Sequence, residues 1–138
     1  MKAPRGLLAR LDAKLDRSGG PDACWPFVGA RSRGQHRETC YGSISEQGKR
    51  GKSWRVNRLV LLLEEVPLEA VTSEADLLRW LHLADRQRAG LEASHVVCDW
   101  APCGNPAHLA WQTHQENLEG ARQRRRAREA AEAQEAVA

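Results

Sequence analysis

The chain has 138 residues and a formal charge of +3, a length that fits one domain and leaves little room for a second. Charged residues at 28% and hydrophobic residues at 41% exclude a wholly disordered chain, and the longest apolar run, Leu59 to Leu63, is far too short to cross a bilayer. The first residues, with Lys2, Arg5, Arg10 and Asp12 around Gly6-Leu7-Leu8-Ala9, lack the apolar stretch of a signal peptide, so an intracellular protein is expected.

In chain order, Leu7, Leu8, Leu11 and Leu15 recur at helical spacing and predict a helix over 5–17, stopped by Ser18-Gly19-Gly20-Pro21-Asp22. From Trp25 to Val56 short β-like pieces (Trp25 to Gly29, Thr39 to Ser45, Ser53 to Val56) alternate with turns at Gly34 and at Gly48 to Gly51, which predicts a small antiparallel sheet with arginines projecting from it. Asn57 is placed to cap a helix through Leu59, Val60 and Leu63, with Pro67 beyond its end. Thr72-Ser73-Glu74 opens another helix, with Leu77, Leu78, Leu81 and Ala84 on one face and an end near Gly90. A strand over Ser94 to Val97 follows, and from Glu119 the Ala-, Arg- and Glu-rich chain reads as a helix fraying into a polar tail. The expected fold is α+β, a single domain over 1–138. Its segments are a helix and turn (1–23), a basic sheet (24–58), a helical insertion (59–93), a compact motif (94–122) and a tail (123–138).

The composition carries two biases. Of the 21 basic residues 17 are Arg, whose planar fork suits phosphates and guanine edges. Of the seven aromatic residues five are Trp, so the core is thin and a covalent or metal staple is expected. Charge is segregated: residues 31–58 carry eight basic side chains against two acidic ones, and residues 64–99 carry eight acidic against three basic. The first of these is either a nucleic-acid surface or a solvated face. Four cysteines without a secretory signal suggest metal before disulfide.

Cys98, Cys103 and His108 fall five positions apart, with Pro102, Gly104 and Pro106 forcing tight turns between them. Thiolate and imidazole are the ligands zinc prefers, and a structural site needs four. Cys24 is the candidate for the fourth, with Cys40 as the alternative; the competing reading is a set of buried thiols and a surface histidine. His95, at the end of the expected strand and beside the first ligand, is a candidate general base. Asn117, early in the last helix, offers an amide oxygen of the kind Mg²⁺ accepts.

The stretch Ser94-His95-x-x-Cys98-x4-Cys103-x-Asn105-Pro106-x-His108-Leu109, followed by Trp111 and Asn117, resembles the HNH or His-Me finger (ββα-metal) endonucleases, in particular the homing type. The Cys24-Trp25 pair, Cys40-Tyr41-Gly42 and Val56-Asn57-Arg58-Leu59 resemble the same family's sheet and helix start, so the likeness spans most of 18–122. It implies that His95 is the general base and Asn117 the protein ligand of a catalytic Mg²⁺. It implies also that Cys24, Cys98, Cys103 and His108 hold a structural Zn²⁺, with Arg58 and Arg55 candidates to hold the scissile phosphate. The implied partner is double-stranded DNA, contacted by the basic sheet and by Arg122 to Arg128. Arg31, Arg33, Gln35, Arg37, Gln47, Lys49, Arg50 and Lys52 are candidates for the DNA-facing side chains. Cutting both strands with one site per chain implies a homodimer. A zinc-stabilised DNA-binding regulator of the same fold and a monomeric nicking enzyme are the competing readings.

Overall fold

A computed structural model describes residues 6–31, 41–47 and 50–137. Its centre is helix α2 (Val56–Glu65), whose sequence VNRLVLLLEE is apolar on nearly every side and buries Val56, Asn57, Leu59, Val60, Leu61 and Leu62. A helix that is apolar all round belongs in a core, and the other elements pack about it. Helix α1 (Leu7–Lys14) contributes Leu7 and Leu11 from one stripe. Helix α3 (Glu74–Gln87) contributes Leu77, Leu81 and Ala84. Trp54 and Phe27 are the largest fully buried side chains, so few aromatic groups fill much of the interior.

The strands form two two-stranded antiparallel sheets. Strands β1 (Ser43–Ser45) and β2 (Ser53–Arg55) pair with Ile44 opposite Trp54, both pointing into the core. Strands β3 (Glu92–His95) and β4 (Leu109–Gln112) pair with His95 opposite Leu109 and Glu92 opposite Gln112, and β4 runs into helix α4 (His114–Val137). The segment Trp25–Phe27 does not form an extended strand. It makes single bridges, Phe27 to Leu15 and Pro26 to Cys103, and these bring Cys24 up to the 98–108 loop. No helix of the described residues is long and apolar enough to cross a membrane.

The structure corrects three sequence expectations. Asn57 is not a cap: α2 begins one residue earlier, with Arg55 at the N-cap position. Asn57 is instead buried, and its Nδ2 donates to the Ala93 carbonyl at 2.8 Å, tying α2 to β3. The β3 strand lies two residues earlier than Ser94 to Val97, and α4 begins at His114 rather than Glu119. The cause of the last shift is a capping box. Thr113 Oγ1 accepts from the Glu116 amide at 3.1 Å, and Glu116 Oε1 accepts from the Thr113 amide at 3.0 Å. Helix α4 then runs to Val137 rather than fraying, with no buried residue along it.

The insertion also has a visible structural part. Helix α3, started by Ser73 accepting from the Asp76 amide, braces the β1–β2 hairpin from one side. His82 Nε2 meets Glu46 Oε1 at 2.7 Å, and Asp85 accepts from Lys52 Nζ and from Arg58 Nε, each at 2.5 Å. The acidic stretch thus neutralises part of the basic one, carboxylate by cation.

Candidate functional site

Four candidate ligands converge. The ligand atoms of Cys24, Cys98, Cys103 and His108 all lie within 4.8 Å of one another. Cys24 Sγ is 3.7 Å and Cys103 Sγ 3.6 Å from His108 Nδ1. Zn–S and Zn–N bonds of about 2.3 and 2.0–2.1 Å at a tetrahedral angle place sulfur and nitrogen about 3.6 Å apart, so donor set and spacing both fit zinc. The outer partner is present as well. His108 Nε2 lies 2.8 Å from the Asp22 carbonyl oxygen, which only accepts, so Nε2 carries the proton and Nδ1 is the nitrogen left to bind a metal. The thiols crowd one another: Cys24 is pushed up to about 12 by burial and by its hydrogen bonds to Cys103 and Cys98, and burial raises Cys98 too. Thiols so reluctant to ionise alone ionise readily around a dication. Cys24 is therefore the fourth member of the group; Cys40, the alternative, lies outside the described residues.

The loop is built to converge. Asn105, 1% exposed, donates from Nδ2 to the carbonyls of Pro21 and Ala23 at 2.9 and 2.7 Å and accepts from the Ala107 amide at 3.0 Å. It thus staples the segment before Cys24 to the loop that bears the other three ligands. The Gly104 amide donates to the Trp25 carbonyl at 2.8 Å. A Cβ at Gly104 would sit 2.6 Å from Leu15 Cδ1, so a side chain there would have to displace the Leu15 methyl.

Against this cluster lies a cleft of about 640 Å³, lined by Tyr41, His95, Asp99, Asn117 and the arginines Arg122, Arg124, Arg125 and Arg128. His95, 7% exposed, sets its Nε2 3.0 Å from the Cys103 carbonyl oxygen. A carbonyl cannot donate, so Nε2 bears the hydrogen and the lone pair resides on Nδ1. Burial lowers the His95 pKa and outweighs the Cys103 carbonyl, so the ring is neutral near pH 7. Its ring stacks on Tyr41 with centroids 6.1 Å apart, and Arg55 lies over the other ring of that stack, 5.1 Å from the Tyr41 centroid.

Asn117 lines this cleft and a second one of about 440 Å³, which continues past Tyr41 to Arg55, Asn57 and Glu92. Its Nδ2 donates to Glu92 Oε2 at 2.7 Å, and Glu92 Oε1 meets His114 Nδ1 at 2.7 Å. The Glu92 carboxyl is held below its ordinary range, first by the Asn117 amide and then by His114 and Arg55, against its partial burial.

The two arginine candidates part company. Arg58 is committed to the end of α3: besides Asp85, its Nη1 donates to the Leu91 carbonyl at 2.6 Å and its Nη2 to the carbonyls of Arg88 and Asp85 at 3.2 and 3.4 Å, and it stacks on Trp111. Both line the second cleft with Asn117, but Arg55 lies over the Tyr41 ring rather than against α3. On the α4 wall, Arg124 and Arg128 both bind the Asp99 carboxylate, which fastens the helix to the residue after Cys98.

Of the DNA-facing candidates, Arg33, Gln35, Arg37 and Lys49 lie outside the described residues. Arg31 reaches the Phe27 carbonyl at 3.1 Å, and Lys52 pairs with Asp85. Gln47 and Arg50 are exposed at the tip of the β1–β2 hairpin. Sequence reasoning missed Glu92 and Asp99, and it gave Asn105 a place in the motif but no role. Only Asn105 carried a local signal, an Asn before a Pro in a turn; the other two acquire meaning from partners far along the chain. Comparison of the chain with protein families, with curated proteins and with solved structures returned no match.

Proposed function

We propose that the chain is a Mg²⁺-dependent, site-specific double-strand DNA endonuclease of the homing type, built on the ββα-metal (His-Me finger) scheme and acting as a homodimer. One observation carries this reading: His95 and Asn117, 22 residues apart in the sequence, line a single cleft together with four arginines. The order hairpin then helix, with the histidine on β3 and the asparagine in the first turns of α4, supports the same scheme.

His95 acts from Nδ1. It takes a proton from water as that water attacks the phosphodiester, which contributes something like 10²–10⁴ in rate. Its burial keeps it neutral and able to accept that proton at physiological pH. The Asn117 Oδ1 is the oxygen that fits Mg²⁺, a hard cation that takes few protein ligands. When bound, that ion supplies charge stabilisation to the leaving 3′ oxygen. Arg55 is the guanidinium placed to hold the scissile phosphate, while Arg122 and Arg125 draw the flanking backbone onto α4. Cleavage on this path leaves a 5′ phosphate and a 3′ hydroxyl. The cysteine–histidine group holds zinc and does no chemistry; it fixes the carbonyl that orients His95. The hairpin tip, with Gln47, Arg50 and Lys52, is a two-stranded ribbon of the width that enters a major groove.

The test is incubation of plasmid and genomic-library DNA with the protein, with and without Mg²⁺, followed by sequencing of the ends. Linear product at a defined sequence is the expected result. Nicked circles alone would favour a monomeric nicking enzyme. Salt-sensitive binding with intact DNA in every metal condition would replace the nuclease by a zinc-stabilised DNA-binding protein. His95→Ala is expected to keep its zinc and its DNA affinity and to lose cutting by about 10²–10⁴; a variant that cuts normally removes His95 from the mechanism.

A further inference from the structure

We propose that Glu92 is a positioning residue for the Asn117 amide, presenting its Oδ1 to a divalent cation in the cleft; this rests on the reading above. An asparagine side chain is nearly symmetric in shape, and its nitrogen and oxygen ends exchange by one flip. A cation site tolerates only the oxygen end. Glu92 breaks the symmetry. Its carboxylate only accepts, and Oε2 sits 2.7 Å from Asn117 Nδ2, so the N–H end is fixed away from the cation and Oδ1 is the remaining donor atom. A hydrogen bond to a full negative charge also draws electron density toward Oδ1 and makes it a better ligand.

Two observations argue against a merely structural pair. The N-terminus of α4 is already capped by Thr113 and Glu116, so Glu92 is not needed there. Its hydrogen bond with His114 is exposed, with side chains 40% and 72% accessible, and exposed contacts of that kind contribute little to stability. Moreover, Glu92 brings a negative charge to a surface lined by Arg55 and Arg58, where it opposes phosphate binding. A carboxylate in a groove for DNA is accounted for if it serves the cation.

The experiment uses the full chain carrying His95→Ala, bound to duplex DNA, with Mn²⁺ as the probe and electron paramagnetic resonance reading the free ion. Adding Glu92→Ala is expected to weaken Mn²⁺ binding by about 10- to 100-fold. Adding Glu92→Gln, whose Oε1 can accept the same N–H, is expected to restore most of it. With His95 intact, the Mg²⁺ concentration giving half-maximal cutting rises by the same factor in Glu92→Ala, while the rate at saturating Mg²⁺ stays within a few-fold of the parent. Zinc content and melting temperature stay at parent values, which separates the loss of Mn²⁺ affinity from unfolding.

The inference is overturned if Glu92→Ala keeps parental Mn²⁺ affinity while Asn117→Ala loses it, or if Glu92→Gln, which also serves should Glu92→Ala not fold, loses affinity as fully as Asn117→Ala. If the parent binds Mn²⁺ through Asn117 and Glu92 yet never cuts DNA, the nuclease reading fails and the positioning stands. If Asn117→Ala binds Mn²⁺ as the parent does, both fail.

Discussion

Removal of the metal from the cysteine–histidine group should unfold the protein rather than merely silence it. The group joins segments that are 84 positions apart in the chain, and its three sulfurs and one nitrogen occupy the space of a single tetrahedral ion. Without the ion, what holds residues 21–27 against the 98–108 loop, beside the buried Phe27, is a handful of hydrogen bonds. These are the two from Asn105 Nδ2, the one between His108 Nε2 and the Asp22 carbonyl, the Gly104 amide to the Trp25 carbonyl, and the Phe27 amide to the Pro102 carbonyl. At about 0.5–1.5 kcal/mol net for each bond, they contribute a few kcal/mol. A structural zinc contributes about 10–16 kcal/mol, as much as the whole stability of a typical domain, about 5–15 kcal/mol. The expected result is one zinc per chain by elemental analysis. Stripping it with a strong chelator should abolish the cooperative thermal transition and the near-ultraviolet dichroism of Trp25 and Trp100, both recovered on adding Zn²⁺. Cys103→Ser, at a sulfur that is 1% exposed, should reproduce the stripped state. A chelated protein that melts at the same temperature as the untreated one would refute the argument.

Asp85 should supply acid sensitivity. Burial alone would raise its carboxyl, but Lys52 and Arg58 outweigh that and hold it below the ordinary value of 3.8. A lowered folded pKa gives stability that is present above the ordinary value and lost as pH falls through the folded one; Asp85→Asn should therefore flatten the fall of urea-unfolding free energy below about pH 4, and an unchanged slope would contradict the pairing. Gly104→Ala, with its new Cβ 2.6 Å from Leu15 Cδ1 and 3.2 Å from Val56 Cγ1, should cost about 1–3 kcal/mol and about 3–12 °C in Tm while zinc content holds; an unshifted Tm would mean that Leu15 moves aside freely. DNA affinity should fall steeply with salt, and Arg122→Ala should reduce the logarithmic slope by about 0.9; an unaltered slope in a filter-binding series would take α4 off the DNA face.

The parts of the site that could be read from sequence are those whose meaning is local. Cys98, Cys103 and His108 announce themselves because ligand types alternate with turn formers, and a five-residue loop containing proline or glycine folds back on itself. The fourth ligand could only be narrowed to two cysteines, because its place depends on how the Trp25–Phe27 segment bridges to Leu15 and Cys103. Asn57 looked like a cap because an Asn before an apolar run usually is one. Here the preceding strand leads straight into the helix, the Val56 amide donates to the Gly42 carbonyl at 2.9 Å, and the amide side chain is drawn inward to β3. The true start of α4 was signalled by Thr113 and Glu116, three apart, and overshadowed by the stronger Ala/Arg/Glu pattern downstream. The acidic stretch was legible only as a sum. Its members act one at a time, Asp85 on the hairpin, Glu92 on Asn117 and Asp99 on α4, and no net charge reveals such assignments.

The two centres meet in one residue. Cys103 gives its sulfur to the cysteine–histidine group and its carbonyl oxygen to His95 Nε2. The proton on Nε2, and so the lone pair on Nδ1, depends on that carbonyl staying where it is. An imidazole left to itself rotates and exchanges tautomers; on the proposed reading, a zinc that pins this loop also holds the carbonyl that fixes the ring. That reading predicts that a cysteine remote in sequence affects His95 as strongly as a neighbour does. Cys24→Ser touches neither His95 nor the cleft, yet it removes one of the four side chains proposed to hold zinc beside Cys103. Even in a variant that retains most of its helix, the carbonyl would lose its fixed position and the two tautomers would approach equal weight. The order of loss then separates a structural metal from a catalytic one: zinc depletion should erase the His95 hydrogen-bond signature in ¹⁵N imidazole spectra together with the tertiary fold, whereas withholding Mg²⁺ should leave both intact.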